Sequence, residues 1–211
     1  MGRLDAIRRF PIKSLRGEAL EEVAVDANGL RGDRRRALLV RDGPVRVGKT
    51  YRGKEDDRLH LIADPAAATA AAAERGLELA LENDGPFFDD APVSIVVDRW
   101  LDALSAHVGY RVEWLRFRPN FFVLAAPEFD FDERHLTGKE VRLGAVRLRV
   151  RGPIGRCVVT TYDPQGGPSD PEILRYIAQQ RDNTMGVYCD VIAGGTVRIG
   201  DALALQLAPN L

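Results

Sequence analysis

Cys157 is the residue whose neighbours best suit chemistry. It follows the turn-forming run GPIGR (152–156), and apolar and β-branched residues after it predict a strand from Val158 to Tyr162. The adjacent Arg156 would favour the thiolate, which attacks electrophiles and binds soft metals. A buried structural cysteine explains the same local sequence equally well. The second cysteine, Cys189, lies in an apolar run and is predicted to belong to the core.

Other polar side chains lie in loops and at strand ends, where they could hydrogen-bond to an oxygen-rich ligand. Lys13 and Ser14 lie in a tight loop, PIKSLRG (11–17), and both residue types bond phosphate oxygens. In RFRPN (116–120) the proline breaks strand pairing, which leaves Arg118 and Asn120 at a strand end. The segment GLRGDR (29–34) is by itself explained as a hairpin with a solvated Asp–Arg pair.

The positive charge is concentrated at the start of the chain. Residues 1–60 hold 15 Lys/Arg and 10 Asp/Glu, although the whole chain has a net charge of −1. Such a region can concentrate an anionic ligand, and arginine suits phosphate, but a genome rich in arginine codons would also explain it. Nucleic acid is not favoured as a partner, because the pI is about 6.3 and aromatic residues are not interleaved with the basic ones.

Composition favours an ordinary globular protein. Hydrophobic residues make up 45% of the 211 residues, and no apolar run approaches the length of a membrane helix. The N-terminus lacks the apolar stretch of a secretory signal, and two cysteines suit a reducing compartment. We therefore expect a cytoplasmic protein that does not bind membranes.

Short β-rich runs separated by turn formers dominate the chain and predict a mainly β fold. Val141 to Val150 alternates apolar and basic residues around Gly144-Ala145, which predicts a hairpin with one wet face. Three helices are predicted, starting near Asp64-Pro65, Asp98 and Asp170-Pro171. The predicted strands are Arg3–Phe10, Leu20–Val25, Arg36–Val40, Arg111–Phe117, Phe121–Ala125, Val141–Val150, Val158–Tyr162, Val187–Ile192 and Ala202–Leu207.

A set of short motifs in a fixed order resembles the MOSC family. The likeness is strongest to the two-part members, which include amidoxime-reducing components and related bacterial molybdenum-cofactor reductases. The motifs are PIKSLRG (11–17), GLRGDR (29–34), DDAPV (89–93), RFRPNFFV (116–123), GRCVVTTYDPQGG (155–167), MGVY (185–188) and VRIGD (197–201).

The resemblance implies an architecture and a cofactor. The fold would be mainly β with a few helices (α+β), with an N-terminal β-barrel region, residues 1–85, packed on a MOSC β-barrel, residues 86–211. The cofactor would be a pyranopterin, the molybdenum–molybdopterin cofactor, with Cys157 as catalytic residue and molybdenum ligand. The residues that match cofactor contacts are Lys13, Ser14, Arg34, Arg118, Asn120, Arg156 and Tyr188.

The implied activity is reduction of an N-hydroxylated or N-oxygenated small molecule. The sequence has no set of cysteines that could ligate an iron–sulfur cluster, so we expect the electrons to come from a separate donor protein. Two alternatives remain open: a non-catalytic carrier of molybdenum cofactor, or of sulfur as a Cys157 persulfide, and a scaffold whose cysteine is structural. The sequence departs from the family pattern at Ile154, Gly155 and Asp90-Ala91, where relatives often carry cysteine, serine and small hydroxyl residues.

Overall fold

The computed structural model describes residues 1–206 and confirms the mainly β fold class with a few helices. Short 3-10 helices cover Leu59–Leu61, Asp98–Leu101, Trp114–Phe117 and Val158–Thr161. The α-helices are α1 (Pro65–Ala73), α2 (Asp102–Val108) and α3 (Pro171–Gln180). The strands are β1 (Gly2–Arg9), β2 (Glu18–Leu20), β3 (Glu22–Asp26), β4 (Gly29–Leu30), β5 (Ala37–Asp42), β6 (Glu78–Glu82), β7 (Val93–Val97), β8 (Phe121–Ala125), β9 (Glu140–Leu143), β10 (Val146–Gly155), β11 (Thr184–Ala193), β12 (Gly195–Arg198) and β13 (Ala202–Leu205).

Seven strands close into a barrel in the order β13-β9-β10-β11-β7-β8-β1, because β1 pairs with both β8 and β13. The neighbours pair antiparallel except β7 and β8, which run parallel. Strand β2 adds to the edge of β1, and β12, β3 and β4 form a separate three-stranded sheet.

The sequence pattern of the barrel strands explains their burial. The predicted hairpin is confirmed: β9 and β10 pair around Gly144-Ala145, and β10 alternates buried and exposed residues until Arg151. All five residues of β7 are buried, and this strand is absent from the sequence predictions. A short, continuously apolar strand without alternation is difficult to tell from a buried helix segment by periodicity.

A second, smaller hydrophobic core lies in the N-terminal part of the chain. There β5 and β6 pair antiparallel, and Leu38 and Val40 of β5 pack in one cluster with Ala68 and Ala72 of α1. Strand β1 belongs to the large barrel although it opens the chain. The predicted boundary between residues 1–85 and 86–211 stays a prediction.

Two predicted strands are wrong, because these residues form 3-10 turns. Residues Trp114–Phe117 form a 3-10 helix where a strand over Arg111–Phe117 was expected. It ends at Arg118, which has a φ of 51°, and the following proline cannot donate to a ladder. Val158–Thr161 is also 3-10, because the hydroxyls of Thr160 and Thr161 donate to carbonyls three residues earlier.

The helix starts at Pro65 and Pro171 are confirmed, and both are capped as predicted. Asp64 accepts a hydrogen bond from the Ala66 N–H at 3.0 Å, and Asp170 accepts one from Glu172 at 2.9 Å. The helix predicted from Asp98 instead begins as a 3-10 turn before α2. Leu207, the last residue of the final predicted strand, lies outside the described residues.

None of the helices in residues 1–206 has the length and apolar character that crossing a membrane requires.

Gly186 is expected to be essential for the packing of β11 against β7. Its φ is 79°, and a Cβ there would lie 2.8 Å from the Ile95 carbonyl oxygen. Gly186→Ala should therefore lower the free energy of unfolding by about 2 kcal/mol, measured by urea denaturation. Gly155→Ala is the matched control in the same strand pair, because a Cβ there meets no atom within 4 Å. Equal unfolding midpoints for the two variants would contradict the expectation.

Candidate functional site

A cavity of about 440 Å³ brings together residues from the N-terminal loops and from the ends of the barrel strands. Seven of the eight predicted site residues line it: Lys13, Ser14, Arg34, Arg118, Arg156, Cys157 and Tyr188. The eighth, Asn120, is 1% exposed and lies behind the wall. Ile154 adds a buried apolar side chain to the same wall.

Cys157 lies at the point where β10 ends and the 3-10 turn begins. Two hydrogen bonds hold this 3-10 turn to Cys157, because the Thr160 N–H and hydroxyl both donate to the Cys157 carbonyl oxygen, at 3.0 and 2.9 Å. Its side chain is partly exposed in the cavity, whereas Cys189 is fully buried. Burial, and then the charge of Asp190, raises the pKa of the Cys189 thiol. Cys157 is therefore the thiol that is available to a ligand.

Two partly buried guanidiniums in the cavity wall have only backbone carbonyls as hydrogen-bond partners. Arg156 donates to the Met185 oxygen at 2.7 Å and to the Phe117 oxygen at 2.9 Å. Arg118 donates to the Leu15 oxygen at 2.6 Å. Burial lowers the pKa of Arg156 to about 10; burial, and then the charge of Arg34, lowers the pKa of Arg118 to about 9. No carboxylate of residues 1–206 lies within 4 Å of either group.

Arg34 and Arg118 are held on one aromatic ring. Their guanidinium carbons lie 4.8 and 4.3 Å from the centroid of Phe10. Arg34 also donates to the buried Asp33 carboxylate at 2.5 Å, and that carboxylate accepts the Phe10 N–H at 2.6 Å. The two cations are thus fixed close together despite their mutual repulsion.

Asn120 does not line the cavity but connects the strands that form the cavity wall. Its Oδ1 accepts from the Ser94 N–H and hydroxyl, both at 3.0 Å, and its Nδ2 donates to the Arg8 carbonyl at 3.3 Å. These bonds join β7, β8 and β1 beneath the cavity. The predicted direct contact between Asn120 and a cofactor stays a prediction.

Backbone strain is concentrated at the cavity. Five non-glycine residues of the described chain have a positive φ, and four of them line the cavity: Ser14, Arg34, Arg118 and Asn183. Such conformations cost free energy and tend to cluster at functional sites. Asn183 also joins Arg156 through two hydrogen bonds, because its carbonyl accepts the Arg156 N–H and its amide donates to the Arg156 oxygen.

The two aspartates of the DDAPV motif have different surroundings. Asp90 faces away, towards Arg151, whose guanidinium donates to its backbone oxygen and lies 3.4 Å from its carboxylate. Asp89 lines the cavity and accepts a hydrogen bond from the Lys13 ammonium. Burial acts to raise the pKa of Asp89, but Lys13, Arg34 and Arg52 together lower it, so the carboxylate stays ionised.

Several cavity residues were not predicted from the sequence. Arg116 is 7% exposed and ties down the turn after Cys157 by donating to the Thr161 oxygen at 2.8 Å and to Asp163 at 3.0 Å. His60 contacts the Asp163 carbonyl at 2.8 Å and stacks on Tyr162. Arg52 and Lys54 add further cations. Nothing in the local sequence of His60 indicates this position, which is more than 90 residues from Cys157.

The arrangement suits a polyanionic ligand held against one thiol. Seven Lys and Arg side chains line the cavity against the single carboxylate of Asp89. No group of three or more His, Cys, Asp and Glu side chains within residues 1–206 could hold a metal ion. The donor set of one thiol among several cations fits an anionic cofactor that carries its own metal.

Comparison with protein families identifies both parts of the chain. A model described as MOSC domain matches residues 82–204, and one described as MOSC N-terminal beta barrel domain matches residues 1–86.

Curated relatives match about half of the chain. Mitochondrial amidoxime-reducing component 1 of Xenopus laevis is 28% identical over 126 residues, which cover 54% of this chain and 36% of the relative. Molybdenum cofactor sulfurase of Caenorhabditis briggsae is 28% identical over 119 residues, 54% of this chain and 16% of the relative. The matched region thus spans little more than a third of the first relative and much less of the second.

Among solved structures, the YUAD protein from Bacillus subtilis superposes with a TM-score of 0.56 at 16% sequence identity. The match covers 96% of this chain and 93% of that one. At this identity the likeness concerns the fold.

The difference in exposure between the two cysteines predicts selective alkylation. Iodoacetamide should modify Cys157 in the native, cofactor-free protein and leave Cys189 unmodified, as measured by mass spectrometry of tryptic peptides. Both cysteines should react in denaturant, which is the control. A native Cys157 that resists modification would indicate a structural cysteine.

Proposed function

Because the chain belongs to the MOSC domain family, we propose that it is a molybdenum-cofactor-dependent oxidoreductase that reduces N-hydroxylated or N-oxygenated small molecules. The observation that carries this proposal is the pair of partly buried guanidiniums without a carboxylate of residues 1–206 within 4 Å, Arg118 and Arg156, beside the accessible Cys157 thiol. The amidoxime-reducing relatives support the choice of substrate.

The residues that would hold the cofactor follow from their charges and positions. Lys13, Ser14 and Arg34 would bind its phosphate, Arg118 and Arg156 would bind its pterin part, and the Cys157 thiolate would ligate molybdenum. The Lys13 ammonium, which bonds to Asp89 in this structure, would then bond to the cofactor's phosphate instead. When bound, the cofactor supplies the two-electron redox chemistry that removes oxygen from the substrate.

The chain's own groups would orient the substrate and hold protons. Tyr188 and Tyr162 line the cavity, and burial raises the pKa of both phenols. Both hydroxyls therefore stay protonated at neutral pH, so that each Oη can donate a hydrogen bond to a substrate oxygen. Arg116 and His60 keep the turn after Cys157 fixed, which sets the direction of the thiol.

Electrons would reach the site from a separate donor protein. The 211 residues hold two cysteines, too few for an iron–sulfur cluster with four cysteine ligands. Cys157 is partly exposed in the cavity, so the site would be reached from the protein surface. The cytoplasmic location stays a prediction.

A second candidate function is transport of the cofactor, or of sulfur as a Cys157 persulfide. The matches to molybdenum cofactor sulfurases favour it, because the matched region of those proteins covers the same share of this chain. A carrier would need the cavity and the accessible thiol but would show no turnover.

Turnover of benzamidoxime separates the two functions. Protein loaded with the molybdenum–molybdopterin cofactor should reduce benzamidoxime when a chemically reduced viologen is the electron donor. Cys157→Ser should lower the rate by more than about 100-fold, since partners of metal ligands alone change activity 10- to 100-fold. Arg142→Gln, on the exposed face of β9, is the control and should retain the rate. Loaded wild-type protein without any turnover would refute the reductase and favour the carrier.

A further inference from the structure

A smaller cavity of about 250 Å³ lies against the Cys157 cavity. The two cavities share part of their walls, namely His60, Arg116, Arg118, Val159 and Tyr162. None of the cofactor contacts proposed above uses the rest of its lining. The shared wall places the smaller cavity next to the reactive thiol, so that one elongated ligand could occupy both.

The smaller cavity is positively charged, and its lining within the described residues includes no carboxylate. Arg8 and Arg16 line it together with Arg118, and no carboxylate of the described residues lies within 4 Å of these guanidiniums. Burial and then repulsion by Arg16 lower the pKa of Arg8, and the Glu113 carboxylate offsets part of this effect. An anion between them would relieve this repulsion and accept hydrogen bonds from both arginines.

The same lining also offers aromatic and apolar surface. Phe10 and Tyr162 contribute rings, while Leu115, Val159 and Pro164 contribute apolar side chains beside the polar His60 and Gln165. In small-molecule sites, polar groups set among apolar side chains fix the orientation of the ligand. The combination favours an aromatic ring that carries an acidic group.

The link to the thiol comes from the turn after Cys157. Val159 and Tyr162 lie two and five residues beyond Cys157 and face both cavities. Arg116 holds this turn through the Thr161 and Asp163 oxygens, so the relative position of the two cavities is fixed.

We propose that the smaller cavity binds the carboxylate or phosphate group of an aromatic substrate, while the N–O group of the same molecule reaches the Cys157 cavity. This inference rests on the proposed reductase function, and it names acidic aromatic N-oxygenated compounds as the substrate class. The arginines at one end would recognise the acid, and the N–O group at the other end would lie where Cys157 would hold the cofactor that supplies the redox chemistry.

Binding of unreactive probes tests the site without any need for turnover. Benzoate, phenyl phosphate and neutral benzamide are titrated into cofactor-loaded protein by calorimetry. At least one of the two anions should bind about ten-fold more tightly than benzamide, or about 1.4 kcal/mol, and more weakly as salt is added. The comparison of benzoate with phenyl phosphate identifies the acid group. Equal binding of all three probes would overturn the proposal, as would anion binding confined to cofactor-free protein, since the cavity would then belong to the cofactor.

Single substitutions locate the binding. Arg16→Gln and Arg8→Gln should each remove most of the preference for the anion, whereas the exposed Arg142→Gln should keep it. Arg16 is itself exposed, so its replacement leaves the core intact if Arg8→Gln fails to fold. An unchanged preference in Arg16→Gln would overturn the proposal.

Kinetics connect the site to the reaction. In wild-type protein, 4-carboxybenzamidoxime should have a KM about ten-fold lower than benzamidoxime, and Arg16→Gln should bring the ratio of the two KM values close to one. If both compounds are inert while the anion preference persists, the reductase function fails and the anion site stands. If both are reduced with equal KM values, the reductase function stands and the anion site fails.

Discussion

The site depends on two partly buried guanidiniums, Arg118 and Arg156, that have no carboxylate of the described chain within 4 Å. Removing a cation from water is costly unless hydrogen bonds and opposite charge compensate it. Backbone carbonyls of Leu15, Phe117 and Met185 supply the hydrogen bonds, while the Asp33, Asp89 and Glu133 carboxylates act on the two cations only from beyond 4 Å. The cavity therefore keeps an excess of positive charge that a bound anion would balance.

The fold holds these cations in place through both of its cores. Arg118 reaches from the start of β8 to the N-terminal Leu15 loop, and Arg156 reaches from the end of β10 to β11. The parallel pair β7–β8 sets Asn120 beside Ser94, which supports the floor from beneath. Several cavity residues, Arg34 and Arg118 among them, have a positive φ, so the positions of these side chains depend on a strained backbone.

Much of the fold could be predicted from local signals, because the hairpin of β9 and β10 and the capped starts of α1 and α3 depend on neighbouring residues. The 3-10 turn after Cys157 could not, since Arg116 stabilises it from about 45 residues away. The family motifs predicted eight site residues, of which seven line one cavity. They could not predict that Asp89 lines this cavity while Asp90 faces away from it, towards Arg151. Nor could they place Asn120 behind the wall, because burial is set by tertiary packing.

The central claim is that this cavity binds a pterin cofactor whose molybdenum is ligated by Cys157. The most direct measurement is molybdenum by mass spectrometry, together with the fluorescence of oxidised pterin, on wild type and Cys157→Ser purified from a host that makes the cofactor. The account predicts both in wild-type protein, and pterin with loss of metal in the variant, because the arginines still hold the anion. Absence of pterin from both proteins, even after free cofactor is offered to them, would contradict the account.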